Sequence, residues 1–421
     1  MRILIIGGGI GGLVTALSLH ARGIDCVVYE QSGAIRELGV GFNILPHAIK
    51  VLAELDLLEG LDAVAIRTRE LIMMDRRGNE IWREARGLHA GYDVPQFCIH
   101  RGHLQRVLYR AVCERLGEAA VVVGRQLVSF EQNQDSVRAQ FCDQSGNSAE
   151  SIRADGLIAA DGIHSTVRAA MNPHEGPPRW NGVMMWRGAT DWPKFLRGSS
   201  MIVAGGVDTK LVLYPIAPGT QPERRLTNWA VCSKIAEAGA TPPRREDWSR
   251  AASRDELQPH LERFAIEHVD VRALVAATQT FYEYPMCDRD PLPDWSRERV
   301  TLLGDAAHPM YPMGSNGASQ TILDAREIAQ CLASTSDVAR AFRAYEDARR
   351  PTTARVVHMN RAGGPEGVID VVERLAPEGF RCIDDVIARD ELEAMLKSYA
   401  TAAGFGKEQV NNGRSGAQAN A

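Results

Sequence analysis

The sequence predicts an α/β protein: a Rossmann-like domain, an antiparallel β-sheet inserted into it, and helices at the C-terminal end. Three observations predict this. Arg2-Ile3-Leu4-Ile5-Ile6 runs straight into Gly7-Gly8-Gly9-Ile10-Gly11-Gly12, an apolar stretch to Leu19, Gly23, and a second apolar run ending at Tyr29-Glu30. Two later apolar runs end in Asp161-Gly162 and in Gly304-Asp305. Between these, Gly182 to Met286 is rich in Trp, Met and Tyr and carries strand-like runs at Val183-Arg187, Ser200-Ala204, Lys210-Ile216 and Leu226-Cys232.

The first stretch reads as strand, glycine turn, helix, strand, acid. A buried strand brings the chain to a tight turn at Gly7. Gly9 presents no side chain to an approaching pyrophosphate, Gly11 continues the bare surface, and Gly12 lets the helix pack on the sheet. The helix N-terminus then offers free N–H groups and partial positive charge to phosphate. Glu30, ending the second strand, is placed for a ribose 2′-OH. A glycine turn alone is as easily structural; with strand, helix and acid in place, a dinucleotide site is the better reading.

Further along, Gln31 to Val40 reads as a loop, Pro46 to Leu58 as a helix with Ile49, Leu52, Ala53 and Leu57 on one face, and Arg77-Gly78-Asn79 as a hairpin turn. A helix from His103 to Arg115 precedes strand-like runs at Ala120-Val123, Gln126-Gln132, Val137-Cys142 and Ile152-Ala160, and helices are expected from about Ala318 and over Asp337 to Asn360. The expected domains are 1–68, 100–180 and 296–335 for the nucleotide, 69–99 and 181–295 for the substrate, a helical region 336–403, and a mobile tail at 404–421.

With 45% hydrophobic and 24% charged residues this is ordinary globular material, and a net charge of −5 gives no case for nucleic acid. The Arg224-Arg225, Arg244-Arg245 and Arg349-Arg350 pairs read as solvated surface. The eight cysteines form no CxxC pair and no zinc-spaced cluster, so no metal site is expected. No apolar run reaches the roughly 18 residues of a membrane span, and the first strand starts too early for a signal peptide. A cytoplasmic monomer or homodimer is expected.

One dinucleotide fingerprint admits NAD or FAD. Asp161-Gly162-Ile163-His164-Ser165-Thr166-Val167-Arg168 places an acid at a strand end, with Ser165 and Arg168 one helical turn apart; Gly304-Asp305-Ala306-Ala307-His308-Pro309 repeats the arrangement. Such an acid can accept from a ribityl hydroxyl while helix N–H groups serve the pyrophosphate. Asp–Gly turns and Gly–Asp caps are common separately; in this order after the glycine turn they select FAD.

At these residues the chain resembles the single-component FAD-dependent aromatic hydroxylases, the family of para-hydroxybenzoate and salicylate hydroxylases. The resemblance implies the para-hydroxybenzoate hydroxylase type of fold, with FAD as cofactor and NADH or NADPH as co-substrate. It implies that Glu30 holds the adenosine ribose, that Arg101 meets the flavin phosphate or ribityl region, and that Asp305 binds the ribityl chain. It also implies that Asp161 and Arg168 serve NAD(P)H, and that Pro312, Gly314, Gly317 and Ala318 lie along the isoalloxazine. Gly39-Val40-Gly41-Phe42-Asn43-Ile44, Ile99-His100-Arg101-Gly102, Met185-Trp186-Arg187-Gly188, Tyr284-Pro285-Met286, Asp288-Arg289-Asp290-Pro291-Leu292 and Met310-Tyr311-Pro312-Met313-Gly314 are most similar to the phenazine-hydroxylating subgroup, up to about residue 360. Two features depart from the wider family: Ser315-Asn316-Gly317-Ala318-Ser319 stands for the usual Gly-Gln-Gly-Ala-Asn, and Lys210 stands where several relatives carry a histidine ahead of the Tyr-Pro pair, here Tyr214-Pro215.

The chemistry implied is attack of a flavin C4a-hydroperoxide, formed from O₂, on a small aromatic or heteroaromatic acid or phenol, with or without loss of CO₂. The flavin supplies the reactivity; the protein holds the ring and excludes water. Tyr214, Lys210 and Pro312 are the candidate catalytic residues. Lys210 and Tyr214 share one face of a strand, where Tyr214 can bond a phenol or ring nitrogen and Lys210 a carboxylate; against this stands lysine's preference for surface. Met184, Trp186, Tyr214, Tyr282, Tyr284 and Met310 are the candidate substrate contacts, each of a type equally at home in a core. His308 is expected to shape the flavin loop. A dehydrogenase or reductase without oxygen insertion, and a non-catalytic FAD scaffold, are the competing classes; retention of Glu30, Asp161 and Asp305 argues against the scaffold.

Overall fold

A computed structural model describes residues 1–35, 39–244, 247 and 250–413. Part of the loop expected over 31–40, Arg245 of the Arg244-Arg245 pair, and residues 414–421 of the expected tail lie outside the described residues.

The apolar run Arg2–Ile6 is a strand with four consecutive buried residues, as a parallel strand covered on both faces requires. It pairs in parallel with Asp25–Glu30 on one side and Gly156–Ala159 on the other, and Gly156–Ala159 pairs in turn with Val300–Leu302. Val121–Val123 and the short antiparallel Ser296–Arg297 complete this six-stranded sheet. The glycine turn, Asp161-Gly162 and Gly304-Asp305 all follow the C-terminal ends of neighbouring parallel strands, where ligands bind in open α/β sheets. Helices Ile10–His20, Arg101–Leu116 and Asn316–Ser334 pack around that sheet.

The inserted unit is a seven-stranded sheet in the spatial order Phe281–Asp288, Arg179–Pro193, Arg224–Lys234, Thr209–Pro218, Ser200–Gly205, Glu70–Asp75 and Glu80–Ala85. Its pairs are antiparallel except Ser200–Gly205 with Glu70–Asp75, which run parallel. The expected hairpin turn at Arg77-Gly78-Asn79 joins its last two strands, with the Asp75 carboxylate accepting the Arg77 and Asn79 N–H groups at 2.9 and 2.8 Å. One face packs against helices Arg254–Leu261 and Val271–Ala277. The other faces the nucleotide unit and the C-terminal helices.

The long C-terminal helix is Val338–Arg361, capped by Asp337. Beyond it, helices Gly367–Leu375 and Arg389–Ala402 return across the inserted sheet. Gly404 to Gly413, expected as part of a mobile tail, instead carries the helix Lys407–Asn411. Phe405 and Val410 are buried there, and the Val410 carbonyl accepts from Lys50 Nζ at 2.7 Å. Two apolar side chains spaced to reach one core groove are enough to order a segment whose composition is otherwise polar.

Candidate active site

The three glycine-acid segments converge. Gly7 has φ +105°, and a Cβ there would lie 2.4 Å from the Ala160 carbonyl oxygen, so the first turn and the Asp161 strand end fit only without a side chain. A Cβ on Gly12 would sit 1.9 Å from the Gly7 oxygen. Gly11 and Gly304 both abut Thr321, each 2.8 Å from its Cγ2 by the same construction, which brings the first helix and the Gly304-Asp305 turn onto one helix. Gly9 differs: no atom lies within 4 Å of its missing Cβ, and it opens onto a cavity. Bare backbone facing open space at a helix N-terminus is the cradle a pyrophosphate requires.

That cavity has a volume of about 1080 Å³. On the parallel-sheet side it is bounded by Gly9, Gly11, Arg101, Ala160, Gly162, Gly304 and Asp305; Met310, Pro312, Gly314, Gly317 and Ala318 also line it. Glu30 closes one side of the turn, its carboxylate accepting the Gly8 and Ser32 N–H groups at 2.7 Å each. Asp305 is exposed to the cavity; enclosure raises its carboxyl pKa, while His308 and the Arg101 guanidinium oppose the rise. Burial in turn lowers Arg101, against the attraction of Asp305. A cation and an acid that attract each other in one cavity lining, beside a bare glycine turn, fit the charged and hydroxylated middle of FAD.

Asp161 stands just behind the wall formed by Ala160 and Gly162, and its Oδ2 accepts the Thr166 N–H at 2.8 Å. Burial raises its pKa. Arg168, expected to meet NAD(P)H, is 1% exposed and otherwise engaged. Its Nη1 donates to the Ala306 and Ala307 carbonyls at 3.0 and 2.8 Å, its Nη2 to the Asp290 carbonyl at 3.1 Å, and its guanidinium pairs with Glu175. It braces the Gly304-Asp305 turn from behind, out of reach of a diffusing nucleotide. His308 does the same from the other side: its Nε2 lies 2.5 Å from Asp324 Oδ2. Burial alone would raise the Asp324 pKa; His308 and Arg349 instead hold it below the ordinary carboxylate value.

On the inserted-sheet side, the lining follows strand parity. Lys210, Val212 and Tyr214 face the cavity, as their even spacing predicts, while Leu211 and Leu213 enter the opposite core. Lys210 Nζ is 2.6 Å from Asp370 and 3.1 Å from the Gly206 carbonyl, so its charge ties the sheet to helix Gly367–Leu375. Tyr214 donates to the Gly41 carbonyl at 3.0 Å, and burial raises its pKa.

Met184 and Trp186 lie on the wrong face for substrate. Both are buried in the core against the outer helices, Trp186 stacked 5.0 Å from the His260 ring. Their neighbours Met185 and Arg187 line the cavity instead. Tyr284 packs in an apolar cluster with Met185, Ala230, Met286 and Tyr311, and half-buried Tyr282 sits beside it on the edge strand; neither reaches the cavity. Met310 does. Arg187 is the residue that pattern reading missed: it is 6% exposed, and burial and Arg101 push its pKa down to about 9. The signal was present in Met185-Trp186-Arg187-Gly188, where an arginine interrupts an apolar strand one residue from a tryptophan and so must face the other way.

Fold and site together define a flavin-dependent hydroxylase. A family model described as "FAD binding domain" matches residues 1–360, and the chain belongs to that family. It is an FAD-dependent monooxygenase of the aromatic hydroxylase class, with reduced nicotinamide as co-substrate. Among curated relatives, it is 44% identical over 363 residues to a phenazine 1,6-dicarboxylic acid hydroxylase from Lysobacter antibioticus, covering 85% of this chain and 89% of that one. It is 32% identical to a 3-hydroxybenzoate 6-hydroxylase from Klebsiella oxytoca, covering 86% and 88%. Among solved structures, Klebsiella pneumoniae HpxO complexed with FAD and uric acid shares the fold at a TM-score of 0.70 and 24% identity, over 98% of this chain and 95% of that one. No helix among the described residues is long and apolar enough to cross a membrane.

Proposed function

We propose that this enzyme hydroxylates a flat, fused heteroaromatic carboxylic acid of the phenazine type. The observation that carries the reading is Arg187, a buried guanidinium in the cavity wall beside an apolar stretch of the inserted sheet. Leu71, Met73, Met201, Val203 and Val212 present that wall from neighbouring strands, suited to the face of a planar ring. A guanidinium lining the cavity is suited to a substrate carboxylate, which it grips with two parallel hydrogen bonds. The similarity to the phenazine dicarboxylate hydroxylase supports the same class.

FAD, once bound, would supply the redox and O₂-activating chemistry, with NAD(P)H as reductant. Glu30, Gly9, Arg101 and Asp305 would hold it, and Pro312, Gly314, Gly317 and Ala318 would bound its ring. Arg187 fixes the acid end of the substrate. Tyr214 keeps the strand Gly41–Ile44 pressed on the inserted sheet. The C-terminal helices complete the wall and exclude water.

The test is NAD(P)H consumption by the FAD-loaded protein with phenazine-1-carboxylate, phenazine-1,6-dicarboxylate, 3-hydroxybenzoate and salicylate, with products weighed by mass spectrometry. The phenazine acids should stimulate oxidation most and give either a product one oxygen heavier or a phenol with CO₂ lost. Stimulation by the benzoates alone would overturn the substrate assignment.

A further inference from the structure

The matched family region ends at residue 360, yet the chain beyond it builds part of the cavity wall: Glu366, Leu396, Tyr399 and Phe405 all line it. This segment also grips the loop expected beside the flavin ring. Gly314 and Ser315 are consecutive left-handed residues, with φ 62° and 57°. The second has a side chain where the wider family has glycine, so this backbone conformation is unfavourable unless something outside it holds it. Two side chains do. The Glu366 carboxylate accepts the Gly314 N–H at 3.0 and 3.1 Å. The Tyr399 hydroxyl, from helix Arg389–Ala402, lies 2.7 Å from Asn360 Oδ1, 3.2 Å from the Met313 carbonyl, and accepts from Asn316 Nδ2 at 2.9 Å. Asn316 Nδ2 also reaches the Gly314 carbonyl at 3.2 Å, and Asn360 Nδ2 bonds the Tyr311 carbonyl at 2.9 Å. A Cβ on Gly314 would meet the Tyr399 oxygen at 2.5 Å, so ring and loop are fitted to each other.

We propose that Tyr399 is a positioning residue for oxygen transfer: its hydroxyl, supplied from beyond the matched family region, locks the Met313–Asn316 loop in the conformation that directs oxygen into the substrate. The proposal rests on the hydroxylase reading, with that loop beside the flavin. Coupled turnover converts a ring C–H, O₂, NAD(P)H and a proton into C–OH, water and NAD(P)⁺. With the loop displaced, O₂, NAD(P)H and a proton give hydrogen peroxide and NAD(P)⁺, and no ring is oxidised.

Tyr399→Phe keeps the ring against Gly314 and removes only the hydroxyl. In the FAD-loaded full chain with phenazine-1,6-dicarboxylate, it should retain FAD and nicotinamide oxidation while the peroxide-to-product ratio rises at least about fivefold, the factor for losing the Asn316 bond that the loop makes to the hydroxyl. The visible flavin spectrum of the substrate-free protein should shift as well. A wild-type ratio and spectrum would overturn the proposal. Should Tyr399→Phe not fold, Asn316→Ala removes the same contact from the loop side and must show the same leak. If wild-type protein gives no product, the substrate assignment has failed, and the flavin spectrum alone decides the role of Tyr399.

Discussion

At the glycine turn, a single methyl group on Gly12 would collide with the Gly7 carbonyl at 1.9 Å, and one on Gly7 would strike the Ala160 oxygen. On the cavity face of the inserted sheet, Met185, Val212 and Ala230, apolar residues of different sizes, stand among the cations Arg187 and Lys210. Backbone meets backbone in the first region, so its residues are dictated one by one. Side chains meet empty space in the second, so only their parity and sum are constrained. A family can therefore keep its cofactor site while exchanging substrates.

The largest effect tests whether Arg168 belongs to the first region. Arg168→Leu should cost about 3–5 kcal/mol, because it takes away one of the two cations that Glu175 holds and leaves the buried Ala306 and Ala307 carbonyls without their guanidinium donor. Thermal unfolding and FAD content report it. A variant that kept both but raised the KM for NAD(P)H would return Arg168 to the nicotinamide.

Within the turn, two glycines should separate. Gly12→Ala should lose about 1–3 kcal/mol of apoprotein stability from overpacking and fail to hold FAD. Gly9→Ala, whose Cβ points into open cavity, should leave apoprotein stability unchanged and weaken FAD alone, as titration with FAD measures. Equal damage to the apoprotein from both would erase the distinction between packing and approach.

On the sheet, Arg187→Gln should raise the KM for a carboxylated substrate about 10–100-fold, the loss of a charge-assisted pair. An unchanged KM would take the acid end of the substrate elsewhere.

The contrast also explains what could be read in the sequence. The glycine turn, Asp161-Gly162, Gly304-Asp305 and the helix starting after Asp337 are local signals, written within a few residues of where they act. Met184 and Trp186 were legible as strand residues, but which face they take is set by register with Arg224–Lys234 and Phe281–Asp288, and a shift of one residue exchanges core for cavity. Lys210 reads in the sequence more readily as a surface lysine than as a pocket residue; it lines the cavity, and its partner Asp370 is 160 residues away in a segment of weak periodicity. Tyr399 had no local signal: its role arises only where a late helix returns to the flavin loop.

Tyr214 should give the smallest effect, and it tests the boundary between the two regions. Its hydroxyl donates to the Gly41 carbonyl, and Gly41 N–H donates to Asn228 Oδ1 at 2.8 Å, so the pair fastens a strand of the nucleotide side to the sheet. A Cβ on Gly41 would lie 2.7 Å from the Tyr214 ring, which leaves the ring in place even without its hydroxyl. Tyr214→Phe should therefore cost about 1 kcal/mol in unfolding and change kcat less than about threefold. If Tyr214 instead accepts or takes a proton from the ring being hydroxylated, kcat falls by about 10²-fold or more while stability changes by the same small amount. Measuring both on one variant separates a fastening from a chemical role, because only the second divides the two readouts.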